Sequence, residues 1–163
     1  MNEELIATAE SAISECSSHL DKLQDSAQYL QRLHPFTAES LEDISKDQVL
    51  HLDQFLYRFM KFQDSMARRL FPSIYVLLEG DTAPKPFLDV LNRLEQLSVI
   101  SSVATWQRFR NLRNNLAHDY PENLQQTADT VNELLEHWQE LEEMYINART
   151  IYRARFPSSP RRT

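Results

Sequence analysis

Apolar residues recur every three or four positions along most of the chain. Leu5, Ala9, Ile13, Cys16, Leu20, Leu23, Ala27, Leu30 and Leu33 form one such stripe, and that period belongs to an amphipathic helix with one face toward a core. The stripe predicts a first helix of about 28 residues at 3.6 residues per turn. It stops at His34-Pro35, because proline pushes the preceding residue out of the helical region. Thr37 is placed to cap a short turn through Leu41, and Ser45 to cap a longer helix carrying Val49, Leu52, Phe55, Leu56, Phe59, Phe62, Met66 and Leu70. Phe71-Pro72 is expected to kink or split that helix, since proline removes a hydrogen bond and clashes with the preceding turn. The run Ile74 to Leu78 reads as its buried end, closed by Gly80 as a C-cap. Pro86 opens a third helix with Phe87, Val90, Leu91, Leu94 and Leu97. A fourth begins near Ser101 or Ser102, carries Val103, Trp106, Phe109, Leu112 and Leu116, and ends before Pro121. A fifth extends from Asn123 to Phe156.

Long helices joined by short turns predict an all-α fold, an antiparallel up-and-down bundle of four to five helices. We place one domain over residues 1–156 and a disordered basic tail over 157–163. The single glycine, Gly80, argues against most β architectures, which need glycine at their turns. The aromatic residues fall mostly on the apolar stripes and read as core. The helices carry more apolar surface than one buried face needs, which suggests a homodimer.

Charge sharpens this picture. The formal net charge is −7, but all 24 acids precede Arg149, while five arginines occupy the last fifteen positions. Arg58, Lys61, Arg68 and Arg69 form one basic group, and Arg108, Arg110 and Arg113 another. An acidic chain is not an obvious nucleic-acid binder, yet local basic grooves remain compatible with one. The bland reading of each cluster is a solvated helix face. One cysteine excludes an intramolecular disulfide and a cysteine-based zinc site, and Cys16 sits on an apolar stripe. The acidic N-terminus lacks signal-peptide features, and no apolar run is long enough to span a bilayer. The expected setting is cytoplasmic, with no membrane association.

With one glycine, the phosphate-cradling and nucleophile-elbow motifs are impossible. His19, His34, His51 and His137 are scattered without a second histidine at helical spacing, so no metal or other cofactor is expected. The chemistry concentrates in RFRNLRNNLAHDYPEN, Arg108 to Asn123. Arg110, Asn114 and His118 fall on one helix face, whereas Arg113, five positions before His118, is displaced by about 140° on an ideal helix. Arginine and histidine suit phosphodiester cleavage. Histidine moves a proton near neutral pH, and arginine neutralises the charge that grows on the phosphate. RNA supplies its own nucleophile, the 2′-hydroxyl. The competing reading of the same residues is a polar helix end, with Asn and His on the last carbonyls and Arg paired with Asp119.

The segment RNNLAHDY resembles the signature of the HEPN superfamily, an arginine followed four to six positions later by histidine. Arg113, four residues, then His118 fits that spacing, and Arg110 does not. The further pattern His118-x-Tyr120 is similar to that of HepT-type toxins. The resemblance implies a dimeric helical bundle whose two motif copies line one cleft. It implies metal-independent RNA cleavage with Arg113 and His118 catalytic and Asn114 supporting them. It also implies a partner, a minimal nucleotidyltransferase antitoxin that transfers AMP to the tyrosine, here Tyr120. A phosphate-bearing adduct beside His118 would bring negative charge where the RNA phosphate must lie. Arg108, Arg110, Arg68 and Arg69 are the further candidate RNA contacts. A related branch pairs with nucleotidyltransferases as a non-catalytic "substrate-binding" subunit, and the same residues fit that alternative.

Overall fold

The first stripe folds as helix α1 (Asn2–Gln31). The computed structural model describes residues 2–119 and 123–157, the side chains of 117–119 excepted. The expected basic tail therefore lies outside the described residues, apart from Pro157. After α1, the turn at the cis His34-Pro35 peptide is clasped from across the fold. Asn132 accepts a hydrogen bond from the Phe36 N–H at 2.7 Å and donates one to the Phe36 carbonyl at 2.8 Å.

Both expected caps form. Thr37 accepts from the Ser40 N–H at the start of α2 (Ala38–Glu42), and Ser45 accepts from the Gln48 N–H at the start of α3 (Lys46–Ser65). In each, the third residue's side chain reciprocates to the cap's own N–H, satisfying two otherwise orphaned donors. Helical backbone then continues through a π turn, Met66–Leu70, into α4 (Phe71–Glu79). The sequence predicts a kink or split here, at Phe71-Pro72, and the helix has an irregular turn at this point: the Phe71 N–H reaches back five residues to the Met66 carbonyl. The wider turn relieves the collision a proline ring makes with the carbonyl four residues earlier. The Ser73 hydroxyl donates to the Arg69 carbonyl at 2.6 Å, taking up an acceptor near the irregularity. Gly80 closes α4 in the left-handed conformation (φ +69°), its N–H on the Val76 carbonyl, a geometry that favours glycine.

Pro86 precedes α5 (Phe87–Gln96), which is followed by α6 (Val103–Asp119) and α7 (Leu124–Arg155). Asn123 caps α7 by accepting from the Gln126 N–H. The described residues are thus all-helical, with no strand. The five segments read from the sequence are present, with α2 as a separate turn and the second long segment carrying the π turn. No helix among the described residues is long and apolar enough to cross a membrane.

Side-chain contacts fix the relative directions. Ascending α3, Tyr29 meets Asp47, Ser26 meets Gln54, His19 meets Arg58 and Glu15 meets Ser65, so α1 and α3 run oppositely. Tyr145 donates to the Ile13 carbonyl and Tyr152 to the Ile6 carbonyl, so α7 also opposes α1. Ascending α6, Trp106 meets Phe71 and Phe109 meets Phe59, the reverse sense to α3 and α4. Between these helices lies an aromatic core in which Phe55, Phe59, Phe62, Phe71, Trp106, Phe109, Tyr145 and Tyr152 are all buried. Burying each such ring contributes roughly 1.5–3 kcal/mol. The packing holds α6, and so the Arg108–Asp119 segment, against α3 and α7.

Candidate functional site

The three arginines of α6 take three different partners. Arg108 pairs with Glu140 of α7 at 2.7 Å, and the same carboxylate oxygen meets His137 Nδ1 at 2.8 Å. Arg113 turns to α3, where its Nη2 lies 2.9 Å from Asp64 Oδ1 and 3.0 Å from Oδ2. Arg110 is exposed and pairs with no carboxylate among the described residues. It borders a cavity with Gln63 and Ala67, Phe87 and Trp106. The structure therefore brings Arg110 and Arg113 to neighbouring positions of one long helix, beside Gln63 and Asp64, and separates Arg108 from them.

Asp64 holds both Oδ atoms on one guanidinium nitrogen and so gives Arg113 a defined direction. The pair is only partly shielded, with side-chain exposures of 34% for Arg113 and 27% for Asp64. The arginine keeps contact with solvent and retains donors for a second anion. Its Nε is buried without a partner among the described residues. Asn114 is exposed. The backbone of His118 belongs to α6, but its side chain lies outside the described residues, as do Tyr120 and the Asp119 side chain. Among the described residues no three His, Cys, Asp or Glu side chains gather as a metal ion requires.

The two remaining candidates on the π turn differ from each other. Arg68 is exposed. Arg69 points at α1, pairing with Glu15 and donating to the Ser11 hydroxyl at 2.9 Å. It closes a polar seam in which Ser65 also donates to Glu15, and Arg58 sits 2.9 Å from His19 Nδ1. As an RNA contact Arg69 would have to give up these partners. The sequence groups the two arginines by adjacency alone, although consecutive helical residues point about 100° apart.

The seam is acid-sensitive. The hydrogen bond from Ser65, helped by Arg69, outweighs burial and holds the Glu15 carboxyl below its ordinary value of 4.5. Burial, with Arg58 alongside, lowers the His19 imidazole below 6.5. Both folded values are depressed. Each group therefore adds stability that is present above its unfolded pKa and lost as pH falls through the folded one. We expect melting temperature to decline in two stages, first below about pH 6.5 and again below about pH 4.5, on the reference values for these groups. Glu15→Gln should flatten the second stage. Thermal melts from pH 7 to pH 3 that show equal slopes for the wild type and Glu15→Gln would remove Glu15 from this account.

Asp64 and Gln63 are the residues the motif did not single out. Gln63 lies four positions after Phe59 and three before Met66, on the buried stripe, so its burial was legible as a polar residue in an apolar register. Nothing local marks Asp64 as the partner of a residue 49 positions away.

The described residues are all-helical, and the arginine-rich α6 contacts α7 through Arg108 and α3 through Phe109 and Arg113. A comparison with protein families, curated proteins and solved structures finds no match for this chain.

Proposed function

We propose that this chain is a HEPN-like, metal-independent endoribonuclease toxin. In this reading it folds as an up-and-down bundle, works as a cytoplasmic homodimer with two α6 helices lining one cleft, and is neutralised by a nucleotidyltransferase that AMPylates Tyr120. The observation that carries it is Arg113, anchored by Asp64 yet partly open to solvent, one turn beyond Arg110, which pairs with no carboxylate among the described residues. That arrangement offers two cations to consecutive phosphates of a single strand.

The chemistry follows from RNA itself. His118 takes the proton of the 2′-hydroxyl, whose oxygen attacks the adjacent phosphorus. The 5′-oxygen of the next nucleotide leaves and receives a proton, giving a 2′,3′-cyclic phosphate and a 5′-hydroxyl. Arg113 opposes the extra negative charge on the phosphoryl oxygens as the attack proceeds. Asn114 holds His118 or a phosphate oxygen. An AMP group on Tyr120, two residues on, repels the strand.

A second reading has one observation in its favour. Asp64 already neutralises Arg113, which suits a non-catalytic binding subunit of a nucleotidyltransferase complex better than it suits an enzyme. Incubating purified protein with tRNA and mRNA in EDTA separates the two. The toxin reading expects cyclic-phosphate products from the wild type and none from His118→Ala. Equal background from both proteins, together with no growth arrest on expression, would leave the binding-subunit reading in its place.

A further inference from the structure

Two stretches of this acidic chain are nearly free of acids. Residues 54–78 carry Arg58, Lys61, Arg68 and Arg69 and one acid, Asp64, and residues 96–118 carry Arg108, Arg110 and Arg113 and none. With 24 acids in the chain, so long an exclusion sets these stretches apart from an ordinary solvated face. They pack on each other through Phe59 and Phe109, Phe71 and Trp106, and Asp64 and Arg113. The one acid is matched by Arg113. Lys61 and Arg68 are exposed and pair with no carboxylate among the described residues.

Tyr57, Lys61, Asp64 and Arg68 follow one another by four, three and four residues. That spacing keeps them along one edge of α3 and the π turn, roughly 5–6 Å apart. Lys61, Asp64 and Arg68 line one open depression of about 140 Å³. Because Asp64 holds the Arg113 guanidinium, the edge reads aromatic, cation, cation, cation. Tyr57 is 48% exposed, with the Arg58 guanidinium 5.2 Å and the Lys61 ammonium 5.7 Å from its ring centre. The ring borders a second depression, of about 280 Å³, with Leu56, Met60 and Leu116, and Asp53 ends the basic edge there.

Charge and shape together select an occupant. Cations a helical turn apart suit a chain of phosphates. An acidic peptide would satisfy them but has nothing flat to lay on Tyr57. A duplex keeps its bases stacked on one another and offers the ring only backbone. An unpaired strand offers both phosphates and base faces, and stacking on an aromatic ring tolerates any base.

We infer that this edge is a docking track for an unpaired RNA strand, with Tyr57 stacking a base and Lys61, Arg113 and Arg68 holding phosphates. That the strand is RNA rests on the proposed function. The track passes Arg113, and its apolar end adjoins Leu116, two residues before His118 in sequence, so a strand lying on it is delivered to the segment that carries the proposed chemistry.

The test measures fluorescence anisotropy of a labelled 2′-O-methyl oligouridylate, which lacks the nucleophile for cleavage, against full-length protein at several salt concentrations. Its duplex with a 2′-O-methyl complement and an oligoglutamate of equal charge are the rivals, and both should bind at least tenfold more weakly. Lys61→Ala and Arg68→Ala should each lower the slope of log affinity on log salt by about 0.7, the share of one phosphate contact on a single strand. Tyr57→Ala should weaken binding roughly fivefold or more without changing that slope, and Tyr57→Phe should restore it. Arg155→Ala, an exposed arginine of α7 outside the face, should change neither. Duplex or oligoglutamate binding as tightly as the single strand, Tyr57→Ala binding as wild type, or Arg155→Ala lowering the slope as much as Lys61→Ala would each overturn the track. So would Tyr57→Ala turning a dimer into a monomer in sedimentation with affinity unchanged, which would give the face to a second copy. The expected binding pattern without cleavage of an all-ribose strand would sink only the ribonuclease reading. Cleavage at low RNA concentration that is indifferent to Tyr57→Ala and Lys61→Ala would sink only this one.

Discussion

On the proposed ribonuclease reading, Arg113→Ala is expected to slow RNA cleavage by about 10²–10³-fold, the usual loss when one donor to a developing oxyanion is removed. Because the Arg113–Asp64 pair is partly open to water, the variant should remain folded. Arg113→Lys keeps the charge but not the planar fork that meets a carboxylate and a phosphate together. It should recover only part of the rate, with a melting point close to that of wild type. Asp64→Asn supplies the contrast. It frees the guanidinium's charge while keeping a hydrogen-bonding oxygen, so substrate binding should tighten even if orientation suffers. Single-turnover rates on an end-labelled RNA in EDTA, alongside thermal melts, separate these effects. A folded Arg113→Ala protein that cuts at the wild-type rate takes Arg113 out of the mechanism.

Phe62→Ala should destabilise the fold by about 3–5 kcal/mol, the range for deleting a fully buried aromatic ring. Phe62 is 0% exposed, and its ring meets Tyr145 edge-on at 5.3 Å. Tyr145 in turn holds α1 through the Ile13 carbonyl and the Ser17 hydroxyl. A cavity at Phe62 therefore loosens the meeting point of α1, α3 and α7 together. Domains commonly have only about 5–15 kcal/mol of stability in total, so the loss is a large fraction. Urea unfolding gives the value directly, and a change below about 1.5 kcal/mol would mean the neighbours collapse into the space, as volume-conserving repacking does.

The helices were legible because their signals are local. An apolar stripe needs only its own segment, and Thr37, Ser45, Asn123 and Gly80 each act on backbone within a few positions. What the sequence hid is long-range. Periodicity tells which face of α6 is polar, but not that Arg108 finds Glu140 and Arg113 finds Asp64. Arg113 is offset from the Arg110–Asn114–His118 face of α6, and it turns to Asp64 of α3, a neighbour that the motif does not mention. Arg68 and Arg69 look alike as text and diverge in space, one into solvent and one onto Glu15.

The π turn at Met66–Leu70 has a consequence for how this chain lines up with others. A wide turn of this kind carries one residue more than a regular α-turn over nearly the same rise. In effect it is a one-residue insertion that the helix has absorbed without a loop. A homologous helix lacking the counterpart of Pro72 has no need of the extra residue and would be one position shorter between Phe62 and Ile74. An alignment that forbids gaps inside helices would then slip here, placing the α4 apolar positions opposite polar ones. The single gap belongs inside the helix, at the arginine pair.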